Sequence, residues 1–210
     1  SAGPVSYGTI AYTSQPAAGL PAGTVFADLA DPRLSPDNWS TRSVVFWARL
    51  SGGGTTTNND ASIWTKLGAE YSLTLREGDA VAGTTDLLTG FGTPVLGPSN
   101  RVTVTGSLNT AAQPMNLALL SDDGANILTP IIREDASFVG LGLASAGGSG
   151  SLVFRSGDGL AIKRSNAGAL FDLAKAGDAA PDTGLAGAIF SRLWEPSQGA
   201  DDGVIFRSDI

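Results

Sequence analysis

The chain contains no cysteine and no histidine among its 210 residues. Without cysteine it cannot form a disulfide, a thiolate zinc site or an iron–sulfur cluster. Without histidine it lacks the commonest general base and the commonest transition-metal ligand, and a Ser-His-Asp triad cannot be built. Oxygen atoms are then the metal ligands that the chain can offer, so any bound metal would be a hard cation such as calcium.

Charged side chains are also scarce, because Asp, Glu, Lys and Arg together make up only 16% of the sequence. Long surface helices need such residues on their outer faces, so this composition and the 28 glycines favour short strands and tight turns. The net charge is −7, and the sequence lacks the cluster of basic residues that a nucleic-acid-binding surface needs, so nucleic acid is not expected as a partner. No stretch approaches the roughly 18 consecutive apolar residues of a membrane-spanning helix.

A short phrase recurs along the chain and marks a repeat. Arrays of such repeats stack because no single unit can bury its apolar face alone. The copies read Arg76-Glu77-Gly78-Asp79-Ala80, Arg133-Glu134-Asp135-Ala136 and Lys175-Ala176-Gly177-Asp178-Ala179, with a degenerate copy at Gln15-Pro16-Ala17-Ala18-Gly19.

Each unit contains four strand-like segments that are divided by Gly, Pro, Asn and Asp. The second segment is the clearest, because it is rich in β-branched and aromatic residues and is apolar on both faces in places. Its four copies are Val44–Leu50, Val102–Leu108, Leu152–Ser156 and Val204–Ser208.

Four-stranded units in a radial array make a β-propeller. The sequence therefore predicts an all-β fold, a β-propeller-like array of four-stranded antiparallel blades that forms one domain over residues 1–210. The predicted units cover approximately residues 20–79, 80–135, 136–178, and 179–210 completed by 1–19.

The two chain ends are expected to share the last blade, because the sequence begins at a fourth strand and stops after a second one. Three arrangements stay open: a closed ring of about four blades, a fragment of a larger ring, and closure by a second copy of the chain. In the third arrangement an exposed strand edge would accept a strand in trans. The residues of that edge are Val204, Ile205, Phe206 and Ile210.

Five aspartates in the recurring phrase and in a paired-acid turn are candidates for a calcium site. The structural alternative is that each carboxylate accepts backbone N–H groups in a turn while a neighbouring glycine takes a positive φ. Repetition of the phrase favours this alternative. The candidate ligands are Asp79, Asp135, Asp178, Asp122 and Asp123.

Two tryptophans are candidates for stacking on a sugar ring, because Trp39 and Trp194 lie beside Pro-rich turns. Packing on proline is the structural alternative. Glu77 and Glu134 could in principle form the carboxylate pair of a glycoside hydrolase, but their equivalent repeat positions suit a shared structural role. Arginines that recur near aspartates, Arg76 among them, suggest ion pairs between blades.

The first full unit resembles a known group of proteins. It reads Val45-Phe46-Trp47-Ala48-Arg49-Leu50-Ser51-Gly52, then Ile63-Trp64, then Leu73-Thr74-Leu75-Arg76-Glu77-Gly78-Asp79-Ala80-Val81-Ala82-Gly83. This pattern resembles secreted propeller-like repeat proteins of planctomycetes, verrucomicrobia and related bacteria. The resemblance implies a secreted or cell-surface bacterial protein. Many of that group carry a C-terminal sorting or anchor segment, and none follows Ile210, which favours cleavage or truncation.

The expected function is that of a non-enzymatic binding or structural module, which could self-assemble through its incomplete blade. Its partners would be further copies, as a homo-oligomer or filament, or an extracellular glycan or protein. A carbohydrate-binding propeller is the first alternative, and a glycoside hydrolase or lyase is the second. Apart from possible calcium, no cofactor is expected.

Overall fold

A computed structural model describes residues 8–35, 43–109, 116–122, 128–134, 140–166, 169–181, 183–199 and 201–210. Over these ranges the protein consists of β-strands and turns, and its only helical segments there are the single 3-10 turns Pro98–Asn100 and Gly157–Gly159. The predicted all-β fold is confirmed. None of the helical segments in these ranges is long and apolar enough to cross a membrane.

The first two sheets are antiparallel and follow the order of the chain. The second sheet has a first strand that is split into two short pieces, and both pieces pair with the same neighbour. The first sheet contains β1 (Val25–Leu34), β2 (Val44–Ser51), β3 (Ala61–Leu67) and β4 (Glu70–Arg76). The second sheet contains β5 (Leu88–Phe91), β6 (Val95–Leu96), β7 (Val102–Leu108), β8 (Leu117–Asp122) and β9 (Leu128–Arg133).

The third sheet repeats this plan, and a shorter hairpin follows it. In the hairpin β14 pairs with β17 and β15 with β16, so both of its arms are interrupted; we refer to this hairpin as the fourth sheet. The third sheet contains β10 (Ala144–Ala146), β11 (Leu152–Ser156), β12 (Ala161–Asn166) and β13 (Ala169–Lys175). The fourth sheet contains β14 (Arg192–Leu193), β15 (Ser197–Gln198), β16 (Val204–Ile205) and β17 (Ser208–Asp209).

The three larger sheets match each other in detail. In each of them the pairing between the third and fourth strands shifts at one equivalent position, directly after Ile63, Leu119 or Ile162. Such a β-bulge increases the local twist of a strand pair. The predicted second strands correspond to β2, β7, β11 and the arm that contains β16 and β17.

Successive sheets pack face to face along the chain. Val45 of β2 joins a buried core with Val104 of β7, whereas its neighbour Phe46 packs on the opposite face with Ala17. Neighbouring strand residues point to opposite faces, so the apolar pattern of β2 requires a cover on both sides. The same contacts join the second sheet to the third through Leu119 and Phe154.

The recurring phrase forms one kind of turn. Asp79 N donates to Arg76 O at 3.1 Å, and Gly78 between them has φ +88°. A positive φ at the third residue defines a type II turn and favours glycine there. The carboxylate of Asp79 accepts a hydrogen bond from the N–H of Arg76 at 2.7 Å, which is a second hydrogen bond between the ends of the turn. The third unit repeats this geometry with Lys175, Gly177 and Asp178.

The degenerate copy near the start folds in the same way. Gln15 N donates to Tyr12 O at 3.2 Å, and the amide oxygen of Gln15 accepts the N–H of Tyr12 at 3.3 Å. Ser14 takes the glycine position with φ +68°, although serine rarely adopts that conformation. Residues 12–15 therefore form the same kind of turn as the one that follows β4, and their place at the end of a fourth strand stays a prediction.

The predicted arginine contacts are of two kinds. Arg155 of the third sheet lies 2.9 Å from Glu195 of the fourth, so this ion pair joins two successive sheets. The guanidinium of Arg76 instead donates to the carbonyl of Asn59 at 2.7 Å within its own sheet. Charge pairing between sheets is therefore found at Arg155.

We expect opposite effects of two substitutions at one repeat position. Ala at Gly78 should lower the free energy of unfolding by about 1–2 kcal/mol, since the backbone there has φ +88°. Gly at Ser14 should raise it by up to about 1 kcal/mol, because strain at φ +68° is relieved. Urea unfolding of the wild type and both variants measures this, and a stabilising Gly78→Ala would contradict the turn assignment.

Candidate functional site

The fourth sheet differs from the others because only one of its faces is covered. Leu193 is fully buried and packs with Phe190 and Phe206 against Ile162 of the third sheet. The rings of Phe190 and Phe206 meet edge to face, 5.8 Å apart. This inner face is an ordinary sheet-to-sheet contact.

The outer face of the fourth sheet is exposed, and one residue shows this directly. Ile205 occupies the strand position that Val45, Thr103 and Val153 occupy in the first three sheets. In each of these strands the next residue packs on the preceding sheet, which defines the shared position. Val45 and Val153 are 0% exposed and Thr103 is 2% exposed, whereas Ile205 is 78% exposed. In the first three units this position lies against the next unit, and no described residue covers it in the fourth.

The outer strand edge also has no pairing partner among the described strands. In the first three sheets the second strand pairs with a third strand, but β16 and β17 pair only with β15 and β14. The predicted edge residues lie on this arm: Val204 is half-buried, Ile205 and Ile210 are exposed, and Phe206 packs inward. Their role in self-association stays a prediction.

Trp194 lies on the outer face beside two cations. The guanidinium groups of Arg192 and Arg207 are 4.5 and 4.3 Å from the centre of the indole ring. The indole N–H donates to Asp209 at 3.4 Å. These contacts hold the ring by cation–π attraction, and a stacked sugar would compete with the guanidiniums for it. Ligand binding at Trp194 stays a prediction, and Trp39 lies outside the described residues.

The candidate calcium ligands lie in separate places. Asp79 and Asp178 each accept a backbone N–H of their own turn, and burial raises the pKa of Asp79 against the lowering effect of that hydrogen bond. Asp122 is buried at the end of β8. Asp123 and Asp135 fall outside the described ranges, within which no three acidic side chains are grouped to hold a metal. Calcium binding stays a prediction.

The two glutamates of the phrase have the same structural task. Glu134 is 4% exposed, and its carboxylate accepts the N–H groups of Gly140 at 2.7 Å, Leu141 at 3.1 Å and Leu117 at 3.3 Å. It thus fixes the start of the third strand and the entry to the next unit. Glu77 accepts the equivalent N–H, that of Ala61, at 3.2 Å.

The surroundings of Glu77 favour its protonated form. Burial raises the pKa of its carboxyl, and the nearby charge of Asp60 raises it further, while the hydrogen bond from Ala61 lowers it. The equivalence of the two repeat positions was the signal in the sequence for this shared role.

A polar joint holds the fourth sheet on the third, and sequence reasoning missed it. One carboxylate oxygen of Asp202 accepts from the hydroxyl of Ser151 at 3.2 Å, from Gln198 at 3.2 Å and from the N–H of Ser149 at 3.3 Å. The hydrogen bonds from Ser149 chiefly lower the pKa of Asp202. Arg164 donates to the carbonyl of Asp202 at 2.6 Å. Ser149 and Ser151 lie 53 and 51 residues before Asp202, and Arg164 lies 38 residues before it, so no local sequence pattern indicates these contacts.

The first strands of the four sheets surround a common cavity. Each sheet contributes at least one lining residue, and the volume is about 290 Å³. The lining includes Arg33 of the first sheet, Thr93 and Val95 of the second, Leu143 of the third and Glu195 of the fourth. A second cavity of about 460 Å³ lies between the second and third sheets.

The Glu134 carboxylate is expected to be more important for stability than that of Glu77. Glu134→Ala leaves one buried and two partly buried N–H groups without their acceptor and should lower the free energy of unfolding by roughly 3 kcal/mol. Glu77→Ala removes one such bond and should cost about 1 kcal/mol. Urea unfolding at pH 7 measures both, and equal small losses would contradict the role given to Glu134.

The chain was compared with known proteins. No curated protein matches it, and no solved structure matches it. One family model does match, that of a family of unknown function (DUF7453), over residues 4–140. This range covers well over half of the 210 residues. The chain therefore belongs to the DUF7453 family.

Proposed function

We propose that the protein is a non-enzymatic binding and structural module, β-propeller-like in arrangement, that associates with further copies through its fourth sheet. The radial arrangement is supported by two features. Successive sheets are stacked face to face, and their first strands lie around one cavity. Twisted sheets that stack with their first strands at a common axis form a propeller-like array.

The exposure of Ile205 carries the association proposal. A β-branched apolar residue that is 78% exposed, at a repeat position otherwise sealed, belongs to a sheet face without its cover. The adjoining strand edge offers unpaired N–H and C=O groups to a further strand. Face and edge together make a surface suited to another sheet.

A second copy is the partner that fits this surface best. The segment before Ser14 enters its turn as a fourth strand does, and Ala11 packs against the first sheet. The described residues thus hold two strands of the fourth sheet and, near the N-terminus, a turn of the kind that follows β4 and β13. Head-to-tail contact would bring these parts together.

The charges favour the same contact. Arg192 and Arg207 lie on the outer face, with Asp209 as the acidic side chain beside them. The chain as a whole carries a net charge of −7. A cationic face is therefore attracted to the acidic surface of another copy, which raises the rate of encounter.

We also propose that the protein is exported to the cell surface or beyond. This rests on the resemblance of the repeat Leu73–Gly83 to secreted bacterial repeat proteins. A fractionation of the native host with an antibody against the protein tests it, and the proposal predicts the protein outside the cytoplasm.

Self-association is tested with Ile205→Glu. A buried charge opposes sheet stacking, so this variant should remain at the monomer mass of 21.2 kDa across a wide concentration range. The wild type should rise above that mass with concentration. Sedimentation velocity measures both. The matched control is Leu185→Glu, because Leu185 is 61% exposed in the segment between β13 and β14 and is not part of the fourth sheet.

Three results would count against the proposal: a wild type that stays monomeric at every concentration, an Ile205→Glu variant that associates like the wild type, or a Leu185→Glu variant that is equally impaired. Monomer with strong hydrogen-exchange protection at Val204–Ile210 would indicate closure within one chain instead.

A further inference from the structure

Two interfaces between successive sheets use the same repeat positions but are filled differently. Between the first and second sheets, Val45, Leu75 and Leu120 belong to a continuous buried core. Between the second and third sheets, the corresponding region contains a cavity of about 460 Å³. A cavity of this size is in the range of small-molecule sites.

The walls of the cavity are polar where the first interface is apolar. Thr103 of β7 takes the position that Val45 takes in β2, and it is 2% exposed. Ser165 of β12 lines the opposite wall and is 6% exposed. Within the described part of the chain neither hydroxyl has a hydrogen-bond partner. Both residues line the cavity, so their hydroxyls are available to donate to and accept from a polar guest.

The cavity also has apolar walls. Ile131 and Leu152 line it, together with Pro98 and Pro130. Flat apolar contact beside hydroxyl groups is the combination that a sugar ring needs, because its faces carry C–H groups and its rim carries hydroxyls. The cavity therefore favours a ring-shaped polyol over a fully apolar ligand.

An arginine lies at the rim of the cavity. Arg101 is exposed and lines the cavity, and its guanidinium makes no ion pair with any described carboxylate. In a chain with net charge −7, an arginine that has no acidic partner among the described residues is suited to an anionic ligand. A guanidinium binds a carboxylate with two parallel hydrogen bonds.

We propose that this cavity binds a hexuronate, a sugar ring that carries one carboxylate. Arg101 pairs with the carboxylate, the hydroxyls of Thr103 and Ser165 bond to the ring hydroxyls, and Leu152 contacts the ring face. The site is separate from the outer face of the fourth sheet and does not depend on self-association. The ligand is a free uronate or a uronate residue of a polysaccharide, which share this chemistry.

Titration calorimetry with galacturonate and glucuronate tests the site. Arg101→Gln should weaken binding about tenfold or more, because a charge-assisted pair is lost. Thr103→Val should weaken it about fivefold, since one hydrogen bond is lost. Valine already occupies this position at Val45, so the variant is expected to fold, and a thermal melt checks this. The control is Arg49→Gln, an exposed arginine in another sheet, which should leave the affinity unchanged.

Probe ligands separate the contributions. Glucose lacks the carboxylate and acetate lacks the ring, so each should bind at least tenfold more weakly than galacturonate. An oligogalacturonide that binds more tightly than the monosaccharide identifies a polysaccharide as the source, and equal affinity identifies the free uronate. Any one of three results would overturn the proposal. These are no binding of galacturonate at 10 mM, an unchanged affinity for galacturonate in both Thr103→Val and Arg101→Gln, and acetate binding as tight as that of galacturonate. Sedimentation of the same variants reports on association separately.

Discussion

The structure depends on the burial of alternate side chains on both faces of each sheet. Val45 and Phe46 are neighbours in β2, yet they belong to two separate cores, one shared with the second sheet and one with the N-terminal segment. An apolar residue on each face means that a sheet is stable only between two covers. Because the third sheet meets the same requirement with the second and fourth, the stack extends along the chain. The N-terminal segment covers the first sheet, whereas no described residue covers the outer face of the fourth at Ile205.

The turns decide how one sheet leads to the next. After the fourth strand the chain reverses in a type II turn at Gly78, and the glutamate beside the glycine reaches back to the start of the third strand. At Glu134 the same carboxylate also holds the first residues of the following unit. Backbone geometry and a buried carboxylate thus fix both the end of one sheet and the entry to another. Their recurrence in the sequence has a structural cause, which explains why the phrase repeats while the loops around it vary.

The repeat was readable from sequence because strand pattern and turn chemistry are local. The predicted second strands coincide with observed strands, and the turn of the phrase recurs at Gln15, where Ser14 replaces glycine and an amide replaces the carboxylate. The contacts that link units were not readable. Asp202 accepts a hydrogen bond from Ser151, and Arg207, on the other arm of the hairpin, packs on the ring of Trp194. The two residues of each pair are not neighbours in the sequence, so a local pattern does not indicate the contact. Ring closure also depends on contacts distant in sequence, which a strand pattern does not encode.

One repeat position illustrates how an array of similar units acquires different properties. It is Val45 in the first unit, Thr103 in the second, Val153 in the third and Ile205 in the fourth. The backbone places all four on the face directed toward the following sheet. The two valines are fully buried, the threonine lines a cavity, and the isoleucine is exposed. Because the fold holds the position constant, its side chain and its cover vary independently. In the second unit this position therefore places a hydroxyl in the wall of a cavity, and in the fourth it places an apolar side chain on a face that no described residue covers.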